Sequence, residues 1–116
     1  MGKQEKTIAT AYQVSLTDTA ILNIDEITGY IAFINQQPLN AIKVGDAIFE
    51  TIERIRNNPF AYKECEEIAT KTKMYRKATC YSWYIIYKVV DTSIKILGII
   101  HASRKPSKIK KLRSVK

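Results

Sequence analysis

His101 is the only histidine of this chain, and Arg104 follows it by three residues. Both stand where an apolar run, Ile94-Lys95-Ile96-Leu97-Gly98-Ile99-Ile100, gives out ahead of Pro106. An imidazole ionises near neutrality and can give or take a proton. A guanidinium holds anionic oxygens through charge and a fork of donors. A second pair of bases, Arg76 and Lys77, closes the basic stretch Thr70-Lys71-Thr72-Lys73-Met74-Tyr75-Arg76-Lys77. Together these types suit acid–base chemistry on an anionic substrate, or plain anion binding. Each also has a structural reading. His101 can close a strand end, Arg104 can pair with an acid of Glu64-Cys65-Glu66-Glu67, and Lys71, Lys73, Arg76 and Lys77 can form the solvated face of an edge strand. The acidic run itself is either a source of a general base or an ordinary acidic loop. Two cysteines without close spacing to the one histidine do not make a zinc site, so Cys65 and Cys80 read as ordinary thiols.

The elements that must position these groups follow from periodicity. Tyr12-Gln13-Val14-Ser15-Leu16 alternates like a short strand. Thr17 or Asp18 offers a helix N-cap. Ala20, Ile24, Ile27, Ile31 and Ile34 then recur at three- and four-residue spacing, one face of a helix. Asn35-Gln36-Gln37-Pro38 breaks it, and Pro38 suits the first position of a second helix, striped by Ala41, Gly45, Ile48, Ile52 and Ile55 and ended by Asn57-Asn58-Pro59. Two such helices with a short connection make an antiparallel hairpin. Thr70 to Thr79 is a weak strand, while Trp83 to Val90 and Ile94 to Ala102 are strong ones, joined by a tight turn at Asp91-Thr92-Ser93. Strict alternation puts Trp83, Ile85, Tyr87 and Val89 on one face. It puts Leu97, Ile99 and His101 together on a mixed face of the last strand. Trp83, Tyr84 and Tyr87 read as sheet packing ahead of base-stacking platforms. The expected fold is α+β, in the order β-α-α-β-β-β: a short N-terminal strand and a helical hairpin on a small, mainly antiparallel sheet.

Charge divides the chain. From Arg104 to Lys116 there are seven bases and no acid, whereas the other 103 residues carry 12 bases and 11 acids. The cationic segment attracts polyanions such as RNA or DNA, or else serves as a solvated tail. Lys71, Lys73, Lys108, Lys110, Lys111 and Arg113 are therefore candidates for contact with a nucleic acid or another target. The expected organisation is a flexible leader over residues 1–10, one domain over 11–106 and a basic tail over 107–116. The first ten residues are polar and lack an apolar core of signal-peptide length, and Lys88, Asp91 and Lys95 interrupt the apolar runs, so a soluble cytoplasmic protein is expected.

Four features in order resemble the RelE/ParE superfamily of bacterial toxins, the toxin half of type II toxin–antitoxin, or plasmid-stabilisation, systems. They are the helix end Ile52-Glu53-Arg54-Ile55-Arg56-Asn57-Asn58-Pro59, the basic strand with Tyr75-Arg76-Lys77, the aromatic strand Trp83-Tyr84-Ile85-Ile86-Tyr87-Lys88-Val89, and the strand end Ile100-His101-Ala102-Ser103-Arg104-Lys105-Pro106. The likeness spans roughly residues 11 to 106. It implies growth arrest relieved by a cognate antitoxin in a hetero-oligomer; no cofactor, metal or membrane is expected. Some members cut mRNA on the ribosome, and others block DNA gyrase without nuclease chemistry. In the cutting branch the resemblance makes His101, Arg104, Arg76 and Lys77 the catalytic candidates.

The chain departs from that branch at two points. Tyr84 stands three residues before Tyr87, where the nucleases commonly carry an arginine, and no tyrosine follows Pro106. Whether the protein is an enzyme is thus open between an mRNA endoribonuclease and a gyrase inhibitor. A third reading is a degenerate toxin kept as a non-toxic, antitoxin-binding regulatory module.

Overall fold

The computed structural model describes residues 12–116; the expected leader lies outside the described residues. Strand β1 (Gln13–Leu16) leads into helix α1 (Asp18–Gly29), a π-helical turn (Tyr30–Ile34), helix α2 (Pro38–Asn57), strands β2 (Tyr75–Cys80), β3 (Trp83–Val90) and β4 (Ser93–His101), and a short helix α3 (Pro106–Lys110) that runs into a 3-10 turn (Lys111–Ser114). The four strands form one sheet in the order β1-β4-β3-β2, with β1 parallel to β4 and the other neighbours antiparallel. This is the expected α+β architecture.

Thr17 caps α1: its hydroxyl accepts from the Ala20 N–H at 3.0 Å and donates to the Leu97 carbonyl at 2.9 Å. Beyond Leu16 the edge of β4 loses its strand partner. Thr17 N–H takes the Ile96 carbonyl, and Asn23 Oδ1 accepts from the Ile99 N–H at 3.0 Å. The Thr17 cap and the Asn23 side chain of α1 thus satisfy an edge that strand pairing leaves open.

The helices cover one sheet face. Ala20, Ile24 and Ile31 meet Ala41, Val44, Ile48, Ile52 and Ile55 above Ile85, Tyr87, Val89, Ile94, Ile96 and Ile99. Pro38 opens α2 and Asn57 ends it, as the sequence implies. The stripe of α1 fails at Ile34, which is 66 % exposed. The π-turn inserts one extra residue, marked by Asn35 N–H to Tyr30 C=O, and carries the chain off the helical phase.

The strict alternation expected for β4 is also corrected. Ile86 pairs with Gly98 but Tyr87 pairs with Ile96, so Leu97 is an extra residue in a bulge. The bulge reverses the faces beyond it. Ile99 joins the helix-side core while Leu97 turns to the rear. His101, two residues on, therefore shares the helix side with its cross-strand partner Trp83.

The rear face has its own smaller core. Cys65, Ile68, Tyr75, Ile86 and Leu97 are covered by Ile109 and Leu112. The cationic segment beyond Arg104 is thus folded onto the sheet by two apolar residues three apart. Gly98 permits this: a Cβ there would lie 2.8 Å from Leu112 Cδ2 and 3.0 Å from Asn23 Oδ1.

Candidate functional site

The two pairs of bases end in different places. Lys77 is buried on the rear of β2, its ammonium 3.1 and 3.2 Å from the two carboxylate oxygens of Glu67 and 4.6 Å from the Tyr84 ring centroid. Burial raises the Glu67 carboxyl, but a backbone hydrogen bond, the Lys77 ammonium and the Cys65 thiol outweigh it and hold the group below its ordinary value. The same surroundings, burial first and the Glu67 hydrogen bond second, push Cys65 up to about 11. A thiol so placed is a poor nucleophile.

Arg76 braces the approach to β2. Its Nε donates to the Lys73 carbonyl at 3.0 Å, its Nη1 donates to the Tyr62 carbonyl at 2.9 Å, and its guanidinium lies over the Phe60 ring at 4.9 Å. Tyr87 is fully buried and donates its hydroxyl to the Pro59 carbonyl at 2.5 Å, with burial raising its pKa. Trp83 and Tyr84 are partly buried against the two cores. Lys71 and Lys73 are exposed in the loop ahead of β2.

His101 and Arg104 lie together, across the sheet from Lys77. The Arg104 N–H closes the chain back on the His101 carbonyl at 3.0 Å. The His101 ring stands edge-on to Trp83 at 5.6 Å between centroids. Ser103 N–H donates to His101 Nδ1 at 3.1 Å, and its hydroxyl lies 2.7 Å from the same nitrogen. With Nδ1 engaged as acceptor, neutral His101 carries its proton on Nε2 and offers a donor in place of a free basic lone pair. Arg104 makes no ion pair with a described acid, so the sequence-level pairing with Glu64, Glu66 or Glu67 does not form. Glu67 serves Lys77, and Glu64 accepts from the Thr70 N–H.

These two residues border a groove of about 1000 Å³ between α1 with its π-turn, the start of α2, the end of β4 and α3. Its floor is apolar, with Ile31, Val44, Trp83 and Ile99. Lys43, His101, Arg104 and Lys108 line it, and Glu26 is the one acid among its described lining residues. Tyr30 and Tyr81 stand at it, both more than half exposed. Tyr81 holds a positive φ of 51° in the β2–β3 turn, a costly conformation for a bulky side chain. Lys108 is one of the binding candidates expected from the sequence, whereas Tyr30, Lys43 and Tyr81 escape a reading of β4 alone. The signal for Tyr30 was an aromatic lying off the apolar stripe of α1.

The family model described as "ParE toxin of type II toxin-antitoxin system, parDE" matches residues 14–106. The chain belongs to the ParE toxin family. No curated protein sequence matches it. Among solved structures, the chromosomal ParDE toxin–antitoxin system from P. aeruginosa superposes with a TM-score of 0.62 at 19 % identity, covering 79 % of this chain and 97 % of that one. A free RelE toxin variant from E. coli gives 0.56 at 12 % identity, over 90 % of this chain and 93 % of that one. The toxin–antitoxin complex RelBE2 from Mycobacterium tuberculosis gives 0.53 at 16 %, over 78 % and 98 %. These likenesses carry the fold, and the ParE match carries the family. Among the described residues of this ParE-family chain, no helix is long and apolar enough to cross a membrane.

Proposed function

We propose that this ParE-family toxin arrests growth by gripping a protein, DNA gyrase, and cuts no RNA. The observation that carries the reading is the commitment of Lys77 to Glu67 at 3.1 Å. The base that resemblance offers for phosphate chemistry neutralises a carboxylate on the far face of the sheet. Arg76 is held on two backbone carbonyls and Tyr87 on a third. What remains at the end of β4 is a donor-bearing histidine and an arginine beside an apolar floor, with no acid among the described residues hydrogen-bonded to either. That arrangement suits desolvated contact with a protein, where aromatic and arginine side chains contribute most.

A cognate antitoxin is the second partner. The exposed apolar residues of the helical hairpin, Ile21, Leu22, Phe33, Leu39 and Ile42, give it a surface to cover. Growth arrest by the free chain, relieved by the antitoxin, tests the toxin role; a free chain that accumulates in soluble form without harm rejects it. The target is tested by a supercoiling assay with purified gyrase together with transcript mapping in arrested cells. Inhibited supercoiling and intact mRNA are expected. Cleaved transcripts with unimpaired gyrase overturn the reading in favour of a nuclease.

A further inference from the structure

We infer that the folded C-terminal segment is a binding surface for the phosphate backbone of duplex DNA. The cations are concentrated there: seven bases and no acid lie between Arg104 and Lys116, on a body that is otherwise nearly balanced. The segment is also built. Ile109 and Leu112 are 3 % and 5 % exposed on the rear core, so α3 and its 3-10 turn are held against the sheet. A merely solubilising tail needs no such anchors. With those two residues facing inward, Lys105, Lys110, Lys111 and Arg113 are all exposed.

None of these four bases forms an ion pair with a described acid. Of the two acids on the 3-10 turn Glu66–Ile68, which packs against α3, Glu67 is already bound to Lys77. Helical rise sets the strip from Lys105 to Arg113 at roughly 13 Å. Duplex DNA carries about one charge per 1.7 Å of axis, so several phosphates fall within that span. Ordering the bases beforehand removes part of the entropic cost of binding. The contact reads charge and not base sequence, and it is independent of the target proposed above.

The test is fluorescence anisotropy of a labelled duplex of about 20 base pairs with the purified chain, which requires no growth phenotype. With four phosphates contacted, affinity falls on the order of 100-fold between 50 and 200 mM salt. K110E/K111E is expected to weaken binding at least tenfold at the lower salt. K63E/K95E makes the same charge change at exposed positions of the body and is expected to alter affinity less than threefold. Circular dichroism melts establish that each variant is folded, and K110A/K111A repeats the comparison without introduced acids. Absence of binding at 50 mM salt, affinity insensitive to salt, or equal weakening by the two double variants would overturn the inference.

Discussion

His101 and Trp83 face each other across β3 and β4 with ring planes 85° apart and centroids at 5.6 Å. The pair exists because the Leu97 bulge turns the end of β4 toward the helices. His101 is exposed, and an edge-to-face contact is worth about 1 kcal/mol. His101→Ala is therefore expected to lower stability by no more than about 1 kcal/mol in urea unfolding while relieving growth arrest at matched expression. Unchanged arrest would remove His101 from the toxic surface.

Tyr87 separates chemistry from packing. Its hydroxyl is buried and, among the described residues, its one partner is the Pro59 carbonyl. Tyr87→Phe leaves that carbonyl short of a donor, at a cost of about 1–2 kcal/mol. A toxin that works by gripping a protein keeps its activity in this variant once soluble levels are matched. A nuclease using the hydroxyl would lose it, and plating efficiency with a parallel thermal melt distinguishes the two.

The Lys77–Glu67 pair predicts a pH dependence. The folded pKa of Glu67 is depressed, so its contribution is present above the unfolded carboxylate value, about 4.3. It is lost as pH falls through the lower folded value. Glu67→Gln is expected to destabilise the protein near pH 7 by about 1–3 kcal/mol, since it leaves the Lys77 ammonium buried beside a neutral partner. The gap between wild type and variant then narrows as pH drops below the carboxylate range. Urea midpoints from pH 7 to 3 measure this, and a gap independent of pH would show that the pair is not the source.

Much of this fold was legible in the residues because most of it obeys simple periods. The Trp83–Val90 run is a strand of the expected length, Thr17 is the cap, and Pro38 opens α2. Two irregularities were invisible for one reason. From Ile96 to Ile100 every residue but Gly98 is apolar, so alternation carries no mark of an extra residue at Leu97. Ile34 likewise continues a helical stripe that the π-turn abandons. At the site, His101 and Arg104 were legible as polar groups at a strand end. The burial of Lys77 was not, because its partner Glu67 is ten residues away in an irregular segment. The anchoring of the basic segment was written in the spacing of Ile109 and Leu112, beneath a dominant charge signal.

The contact between Gly98 and Leu112 yields the sharpest packing prediction. Gly98→Ala sets a methyl 2.8 Å from Leu112 Cδ2 and 3.0 Å from Leu112 Cδ1 and Asn23 Oδ1. Overpacking of this size costs about 1–3 kcal/mol. Leu112→Ala alone removes a buried side chain and costs about 2–3 kcal/mol, at the lower end for a segment at the chain end that can settle. The two changes relieve each other, because the space vacated by Leu112 receives the new methyl. The double variant is therefore expected to be more stable than the sum of the single losses by about 1 kcal/mol or more, a coupling read from a double-mutant cycle in urea. Additive losses would mean that the 3-10 turn carrying Leu112 does not bear on Gly98 in solution. Binding to duplex DNA should weaken in Leu112→Ala without any change of charge, because the same side chain holds the cationic strip in place.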